Sequence, residues 1–307
     1  MSFDRLCEKI LACKNPTVAG LDPKLDYIPD WIKEESFQRY GRTLAGAADA
    51  YLAFNKGLID ALCDIVPAVK PQAAFYELLG WEGVKVLKET IDYAKEKGMY
   101  VITDAKRGDI GSTMEAYAEG HLGHTLVDGV ELRAFDGDSL TVNAYFGTDC
   151  VKPLLEVCRR DGKTVFVLVK TSNPSSGELQ DQLIGDRPVY RVMGEMVNGW
   201  NEGAAGQYGY GPVGAVVGAT YPRQLQEMRA AMPHVFLLVP GYGAQGGAAA
   251  DVAAAFDSRG LGAVINSSRG IMCAWKKTGN NGLDFAQAAR DAAIAMKEDI
   301  GQFVTIQ

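Results

Sequence analysis

Histidine is scarce in this chain, and long apolar runs are absent from it. Only three histidines occur in 307 residues, His121, His124 and His234. A structural zinc site or a histidine-based catalytic triad therefore has few candidate residues. No apolar stretch reaches about 18 residues without a charge, which excludes a helical membrane span. The opening residues, MSFDRLCEKI, lack the apolar core of a signal peptide. We therefore expect a cytoplasmic protein with no membrane partner.

Disulfide signatures and a basic surface are lacking as well. The cysteines include no CxxC pair, and a chain of this length does not need disulfides to be stable. We interpret them as reduced thiols: Cys7, Cys13, Cys63, Cys150, Cys158 and Cys273. Lys and Arg total 31 against 38 Asp and Glu, a net charge of −7, whereas nucleic-acid-binding proteins usually carry a basic excess. The charge balance predicts no nucleic-acid partner, and a small anionic ligand would have to be held by local groups.

Two of the histidines raise one hypothesis about a metal. His121 and His124 stand three residues apart in a predicted helix. A polar helix face is the interpretation we favour over a metal pair. We expect neither a metal ion nor any other cofactor in this protein.

The chain does contain a repeated succession of short apolar runs and helix-forming stretches. The runs are continuously apolar, which is typical of parallel strands covered on both faces. Eight predicted strands lie at residues 17–22, 65–70, 99–104, 139–145, 164–170, 213–218, 235–240 and 262–267. Helix formers dominate residues 34–62, 80–97 and 285–297.

Eight strand-then-helix units predict an α/β fold, the (β/α)8 or TIM barrel, as a single domain over residues 1–307. A doubly wound open sheet is the alternative. One connection, at about residues 171–211, is unusually long and is predicted to hold a loop and then a helix around 188–202. Insertions on the carboxyl-terminal rim of a barrel usually form substrate loops or lids.

Two glycine-rich turns follow the seventh and eighth predicted strands. They read PGYGAQGG at 240–247 and NSSRG at 266–270. Backbone N–H groups in such turns approach an anion closely, and these two loops are the usual phosphate-binding pair of a barrel. Arg269 offers a two-pronged donor and Gln245 a neutral one. We predict a phosphate site here, against the alternative that the glycines only form tight turns.

Charged residues of alternating sign gather at the ends of the second and third predicted strands. Lys70 ends the second, and Asp104, Lys106 and Asp109 follow one another at the end of the third. Chemistry in a barrel lies where the strands end, so the set predicts a catalytic cluster. The alternative is a structural salt-bridge network, because buried charges must be paired in any case.

The residues at 101–113, VITDAKRGDIGST, resemble the signature of orotidine 5′-phosphate decarboxylases, D-x-K-x-x-D-I-[GP]-x-T, at every position of its core. Further segments resemble the longer, bacterial type-2 branch of that family: GLDP at 20–23, VKPQ at 69–72, KTSNP at 170–174, GAQGG at 243–247 and NSSRGI at 266–271. The matches run from the first predicted strand to the eighth. The stretch after KTSNP carries no motif that we can assign.

The resemblance implies a cofactor-free (β/α)8 homodimer that converts orotidine 5′-monophosphate to uridine 5′-monophosphate, the last step of de novo pyrimidine synthesis. Roles follow by position. Lys106 would protonate C6, Asp104 would lie against the departing carboxylate, and Lys70 would hold the ribose and the charge network.

The same resemblance assigns the remaining site residues. Asp22 would bind a ribose hydroxyl, and Ser172 would read the pyrimidine amide. Gln245 and Arg269 would grip the phosphate. Asp109, with Ile110 and Thr113 nearby, would reach into the partner subunit's site, so that each active site of the dimer is shared.

Two other hypotheses stay open. One keeps the barrel and the D-x-K-x-x-D core but does different chemistry, as in the metal-dependent keto-gulonate phosphate decarboxylases of the same superfamily. The other is a catalytically silent barrel that binds nucleotides as a sensor or scaffold. Lys106, placed between two aspartates, argues against the silent barrel, since a binding module has no need of it.

Overall fold

The computed structural model describes residues 3–243 and 247–307, and twelve strands lie within them. In chain order they are β1 (Thr17–Leu21), β2 (Ala68–Pro71), β3 (Tyr100–Arg107), β4 (Thr125–Val127), β5 (Val130–Leu132), β6 (Ser139–Val142), β7 (Thr164–Lys170), β8 (Leu183–Ile184), β9 (Arg187–Pro188), β10 (Val213–Val217), β11 (Leu237–Pro240) and β12 (Ala263–Ser267). Eight of them form one closed barrel, in the order β1-β12-β11-β10-β7-β6-β3-β2.

Every neighbouring pair in this barrel is parallel. Its ring is completed where β1 pairs with β12, Thr17 opposite Ile265. Closure removes the two free edges that an open sheet must have. The predicted (β/α)8 barrel is confirmed, and the doubly wound sheet is wrong.

Helices surround the barrel and connect its strands. The described α-helices are α1 (Asp4–Cys13), α2 (Asp30–Tyr40), α3 (Leu44–Leu62), α4 (Ala73–Glu77), α5 (Gly80–Glu96), α6 (Gly111–His121), α7 (Thr148–Asp161), α8 (Val189–Trp200), α9 (Pro222–Ala231), α10 (Ala249–Val252), α11 (Arg269–Met272) and α12 (Phe285–Gly301). No helix in these residues combines the length and the apolar character that crossing a bilayer requires.

The helix-forming stretch at 34–62 is divided between two helices. Gly41 ends α2 with φ +70°, a conformation that favours glycine. Thr43 then caps α3, its Oγ1 accepting the Gly46 N–H at 3.2 Å. The composition of residues 34–62 indicated helix, and Gly41 and Thr43 mark where the first helix ends and the second begins.

The apolar strands are buried on both faces, and the two faces belong to different clusters. Outward side chains such as Val165 and Val167 pack beneath the helices. Inward side chains such as Phe166 and Phe236 fill the barrel. Phe3, just before α1, lies against both rings at centroid distances of 4.8 and 4.7 Å. The amino-terminal end of the barrel is therefore sealed, which leaves the carboxyl-terminal end to hold a site.

Two segments depart from the plain strand-helix alternation. The antiparallel pair β4–β5 follows α6. Between β7 and β10 the chain forms a 3-10 turn at Pro174–Glu178, the antiparallel pair β8–β9, and then α8. The two short hairpins carry no signal that our sequence analysis used.

Candidate active site

A cavity of about 600 Å³ opens at the carboxyl-terminal ends of the barrel strands. Its wall receives residues from almost every strand of the barrel, as parallel strands around a ring require. Of the predicted site residues, those that line it are Asp22, Lys70, Asp104, Lys106, Ser172 and Arg269. The structure thus brings together residues that lie far apart in the chain.

Asp104 is the centre of a charged network in this cavity. Its Oδ2 accepts hydrogen bonds from Lys70 Nζ at 2.8 Å and from Gln72 Nε2 at 2.9 Å. Its Oδ1 accepts from Lys106 Nζ at 2.6 Å and from Thr141 Oγ1 at 2.7 Å. Asp104 is only 6% exposed. All four donors hold one carboxylate in a fixed orientation between two ammonium groups.

The network controls the protonation of its members. Burial by itself raises the pKa of Asp104, but the charges of Lys70 and Lys106 and their hydrogen bonds outweigh burial and hold that pKa well below its usual range. Burial by itself lowers the pKa of Lys70, and the carboxylates of Asp104 and Asp22 outweigh it, so this pKa lies above its ordinary value. At neutral pH, Asp104 is an anion and Lys70 a cation.

An irregularity in β3 aims Lys106 at the cavity. The pairing of β3 with β6 shifts register between Thr103 and Arg107. Lys106 has φ +50°, an uncommon value for a residue with a side chain. Its backbone N–H is held by Thr141 Oγ1 at 3.0 Å. Its side chain is 44% exposed, unlike that of Asp104 beneath it, so the ammonium group reaches into the open part of the site.

Asp22, which directly follows β1, has an oxygen that accepts no hydrogen bond within the described residues. Lys70 Nζ lies 3.8 Å from Asp22 Oδ1, and that oxygen is buried and makes no hydrogen bond within the described residues. A buried carboxylate oxygen without a donor is costly. Because Asp22 lines the cavity, a ligand hydroxyl is a suitable donor for it.

Asp109 and Thr113 do not line the cavity of their own chain. Asp109 Oδ1 accepts the Ile110 N–H at 2.8 Å, in the turn that leads into α6. Ile110 is 50% exposed, and Thr113 is exposed in the first turn of that helix. This turn presents polar and apolar groups outward.

The loops predicted to bind phosphate follow β11 and β12, and described residues of both line the cavity. Arg269 begins α11 directly after β12 and lines the cavity, with Asn266, Ser267 and Ser268 before it. Gln245 lies outside the described residues. Ser172 stands on the loop after β7, between Thr171 and Asn173, which line the cavity as well.

Some lining residues escaped the sequence analysis. Gln72 and Thr141 bind Asp104 directly, and Lys24 lies over the rings of Tyr27 and Phe75 at 5.6 and 5.2 Å. Gln72 is the last residue of the VKPQ segment. Thr141 carries a hydroxyl group on a strand that is buried on both faces. A buried polar side chain needs a hydrogen-bond partner, and that rule was a usable signal for Thr141.

The expectation for the paired histidines is wrong for His121, which does not belong to a polar helix face. It is buried and stacks on Phe135 at 4.8 Å. Burial, with the nearby charge of Arg107, lowers its pKa to about 4. His124 instead lies near Glu119 and Asp161, whose oxygens have a spacing that suits a metal ion. Arg160 already donates to both carboxylates, and none of these groups lines the cavity.

Comparison with known proteins agrees with this geometry. The family model described as "Orotidine 5'-phosphate decarboxylase / HUMPS family" matches residues 52–279. An orotidine 5′-phosphate decarboxylase of Rhodopirellula baltica is 46% identical over 295 residues, covering 95% of this chain and 96% of that protein. One from Caldicellulosiruptor saccharolyticus is 38% identical over 302 residues, covering 98% of each.

A solved structure gives the same result. The OMP decarboxylase of Leishmania donovani has a TM-score of 0.75 and 32% sequence identity to this chain, covering 99% of this chain and 98% of its own. The similarity therefore extends over the whole barrel, including the segments that hold Asp104, Lys70 and Arg269. On these grounds the chain belongs to the orotidine 5′-phosphate decarboxylase family.

Proposed function

We propose that this protein decarboxylates orotidine 5′-monophosphate to uridine 5′-monophosphate and CO2, the last step of de novo pyrimidine synthesis. The observation that carries the proposal is the buried Asp104 held between Lys70 and Lys106 at the cavity. Its D-x-K-x-x-D segment is the signature that the chain shares with its family. No cofactor takes part in the proposed reaction.

The chemical difficulty lies at C6 of the pyrimidine. The bond from C6 to the carboxylate carbon breaks, CO2 leaves, and the electron pair stays on C6 in the plane of the ring, where the π-system does not delocalise it. Lys106 provides an ammonium group that stabilises this pair and then gives it a proton. Its partly exposed position beside the buried Asp104 supports this role, because the substrate can approach Nζ from the cavity.

Asp104 acts on the bound substrate, before the bond to the carboxylate breaks. Its pKa is held low, so it is ionised when the substrate binds. The substrate carboxylate lies beside this anion, and the repulsion between the two negative groups is relieved when CO2 leaves and Lys106 protonates the electron pair that remains on C6. Lys70 keeps Asp104 in place at 2.8 Å and also lies close to Asp22. We assign Lys70 two roles: it holds the ribose, and it holds the charged network together.

The remaining contacts orient the nucleotide. Asp22 Oδ1, which has no hydrogen-bond donor within the described residues, accepts a hydrogen bond from a ribose hydroxyl. Ser172 reads the pyrimidine amide, and Arg269 and Gln245 bind the phosphate. A cavity of about 600 Å³ is within the usual size for a small-molecule site. Binding energy from the phosphate, which does not react, orients the ring for the step at C6.

The working unit that we propose is a homodimer with shared sites. Asp109 and Thr113 lie outside the cavity of their own chain, on the exposed turn after β3. In a twofold dimer the same turn of each subunit meets the partner, so two turns complete two sites. Asp109 and Thr113 would each reach the partner's bound nucleotide.

We also propose the cytoplasm as the place of this reaction. The six cysteines are all unpaired in the structure. Disulfides are rare where thiols are kept reduced, as in the cytosol. The absence of pairing in a chain with six cysteines favours such a compartment.

Direct assay tests the function. Incubation of the purified protein with orotidine 5′-monophosphate should change the ultraviolet absorbance as the carboxylate is lost, and chromatography should show uridine 5′-monophosphate in equal amount. Activity that survives exhaustive EDTA treatment separates this reaction from a metal-dependent decarboxylation in the same barrel. Tight nucleotide binding with no product in the wild-type protein would instead show a silent barrel.

A further inference from the structure

Lys170, the last residue of β7, is fully buried and has no part in the chemistry proposed above. Its Nζ donates to Asp181 Oδ1 at 2.7 Å and to Ser176 Oγ at 3.2 Å. The rings of Tyr221 and Tyr190 lie 4.8 and 5.7 Å from the same nitrogen. Lysine is almost never fully buried unless it is paired. Asp181 provides that pair here, and it ties the end of β7 to the segment on which Asp181 lies.

A bulge in β7 directs this side chain away from the cavity. Along the strand, Val165, Val167 and Val169 face outward, while Phe166 and Leu168 face the barrel interior. Simple alternation would turn Lys170 inward, next to Leu168. Instead Leu168 pairs with Val216 and Lys170 with Val217, so β7 has one residue more than β10 at this step.

The consequence of the bulge appears in the lining of the cavity. Leu168 and Thr171 line it, and Lys170 does not. An extra residue in a strand changes the direction of the side chains that follow it, and such bulges are common beside active sites. Here it exchanges the faces of Lys170 and Thr171, so that the polar loop after β7 enters the site.

The segment that Lys170 holds is also the segment that carries Ser172. Thr171 N–H donates to Gln180 Oε1 at 2.9 Å, and Gln180 Nε2 donates to Thr171 Oγ1 at 2.8 Å. Behind Ser172 the backbone of Gly218 comes so close that an added Cβ would lie 2.9 Å from the serine Cβ. Asp181 and Gln180 are neighbours, so the ion pair and these hydrogen bonds fix the same fold of residues 171–181.

We propose that Lys170 is a positioning residue for the base-binding end of the site: its ion pair with Asp181 holds residues 171–181 so that Ser172 faces the cavity. This inference rests on the proposed function, in which Ser172 reads the pyrimidine amide. The proposed phosphate contacts come from other loops, those after β11 and β12, so we expect the pair to affect the base more than the phosphate.

Lys170→Met is the main test, because methionine keeps most of the length and removes the charge. Asp181 is 42% exposed at its side chain, so water can solvate it once the lysine is gone. We expect affinity for uridine 5′-monophosphate, measured by calorimetry, to fall about tenfold or more, as for loss of a hydrogen bond to a positioned polar group. Affinity for ribose 5-phosphate, which has no base, should stay within about twofold.

A cycle of variants separates positioning from stability. Asp181→Asn leaves a buried charge without its counterion and should lower the melting temperature. The double variant Lys170→Met/Asp181→Asn should recover that temperature but not the affinity for uridine 5′-monophosphate. Arg187→Met removes an exposed ion pair with Glu195 in the same insertion and is the matched control. It should leave both ligands unchanged.

Hydrogen exchange tests the position of the segment without any ligand. In Lys170→Met the amides of residues 171–182 should exchange faster, while those of the barrel strands keep their protection. Unchanged exchange, equal weakening of both ligands, or unchanged affinity for both would each overturn the inference. A wild-type protein that neither binds uridine 5′-monophosphate nor forms it would refute the proposed function, and the exchange experiment would still decide the role of Lys170.

Discussion

The barrel carries a charged cluster at each end, and comparing the two shows what distinguishes a binding site from a purely structural network. The open cluster, at the carboxyl-terminal end, consists of Asp22, Lys70, Asp104 and Lys106. The closed cluster, at the amino-terminal end, consists of Arg5, Lys95, Asp136, Asp138 and Lys163. Both are networks of lysine or arginine with aspartate, and residue type alone does not distinguish them.

Unused hydrogen-bonding capacity and access to the cavity do distinguish them. In the closed cluster Lys163 donates to Asp136 Oδ1 at 2.7 Å and to Gly137 O at 2.9 Å, and Asp138 accepts from Arg5 and from the Val101 N–H. None of its buried polar side-chain atoms lacks a partner within the described residues. In the open cluster Asp22 Oδ1 has no hydrogen-bond partner within those residues, and all four members line the cavity, which no member of the closed cluster does. A network whose buried polar atoms all have hydrogen-bond partners stabilises the fold. A network that has an unpaired polar atom beside a cavity can bind a ligand.

The largest expected effect comes from Lys106→Ala in the open cluster. Loss of the proton donor should lower kcat by about 10²–10⁴-fold or more, because the electrostatic stabilisation of C6 is lost with it. Binding of uridine 5′-monophosphate should persist. The free energy of unfolding should change by less than about 1 kcal/mol, since the lysine is half exposed. A folded variant with activity within about tenfold of wild type would refute the role of Lys106.

Subunit exchange sharpens the comparison by asking whether one chain completes the open cluster alone. Inactive Lys106→Ala and Asp109→Ala subunits are mixed in equal amounts. Half of the dimers should then be mixed, and one site of each mixed dimer takes Lys106 from one chain and Asp109 from the other. About a quarter of all sites should regain activity. If native mass spectrometry confirms mixed dimers and activity does not rise, Asp109 serves its own chain.

Asp138→Ala should give the opposite result in the closed cluster. It leaves the buried Val101 N–H without an acceptor and Arg5 without its carboxylate. The free energy of unfolding in urea should fall by about 2–4 kcal/mol. At a temperature where the variant stays folded, kcat should equal that of wild type. A fall in kcat comparable to that of Lys106→Ala would erase the distinction between the two ends.

The smallest expected effect concerns Arg269, the first residue of α11. Arg269→Ala should weaken uridine 5′-monophosphate by roughly 1.5–3 kcal/mol for each lost charge-assisted contact and barely affect uridine. Equilibrium binding of both ligands measures the difference. Equal weakening of the nucleotide and the nucleoside would show that Arg269 does not meet the phosphate.

Much of the architecture was predictable because it follows from periodic signals. The continuous apolar runs predicted the eight barrel strands, and strand ends predicted where charged side chains meet. Asp22, Lys70, Asp104 and Lys106 converge as expected, since the carboxyl ends of parallel strands face the same way. Sequence spacing sufficed where the backbone is regular.

The rest depends on departures from regular backbone, which residue spacing does not encode. The register shift in β3, with Lys106 at φ +50°, and the bulge in β7 both redirect side chains by one position. Two residues of like spacing, such as Leu168 and Lys170, therefore end on opposite faces. His121 was misjudged for a related reason, because its burial comes from Phe135, which lies beyond the β4–β5 hairpin.

The pairing of β1 with β12 has a consequence for the order of synthesis. Thr17 pairs with Ile265, which is synthesised about 250 residues later, so the ring cannot close before then. At a ribosomal rate of about 5–20 residues per second, that interval lasts roughly 12–50 seconds. Throughout it the free side of β1 has no strand to pair with. The barrel therefore closes only after β12 has been synthesised, and the nascent chain must keep one strand edge shielded until then.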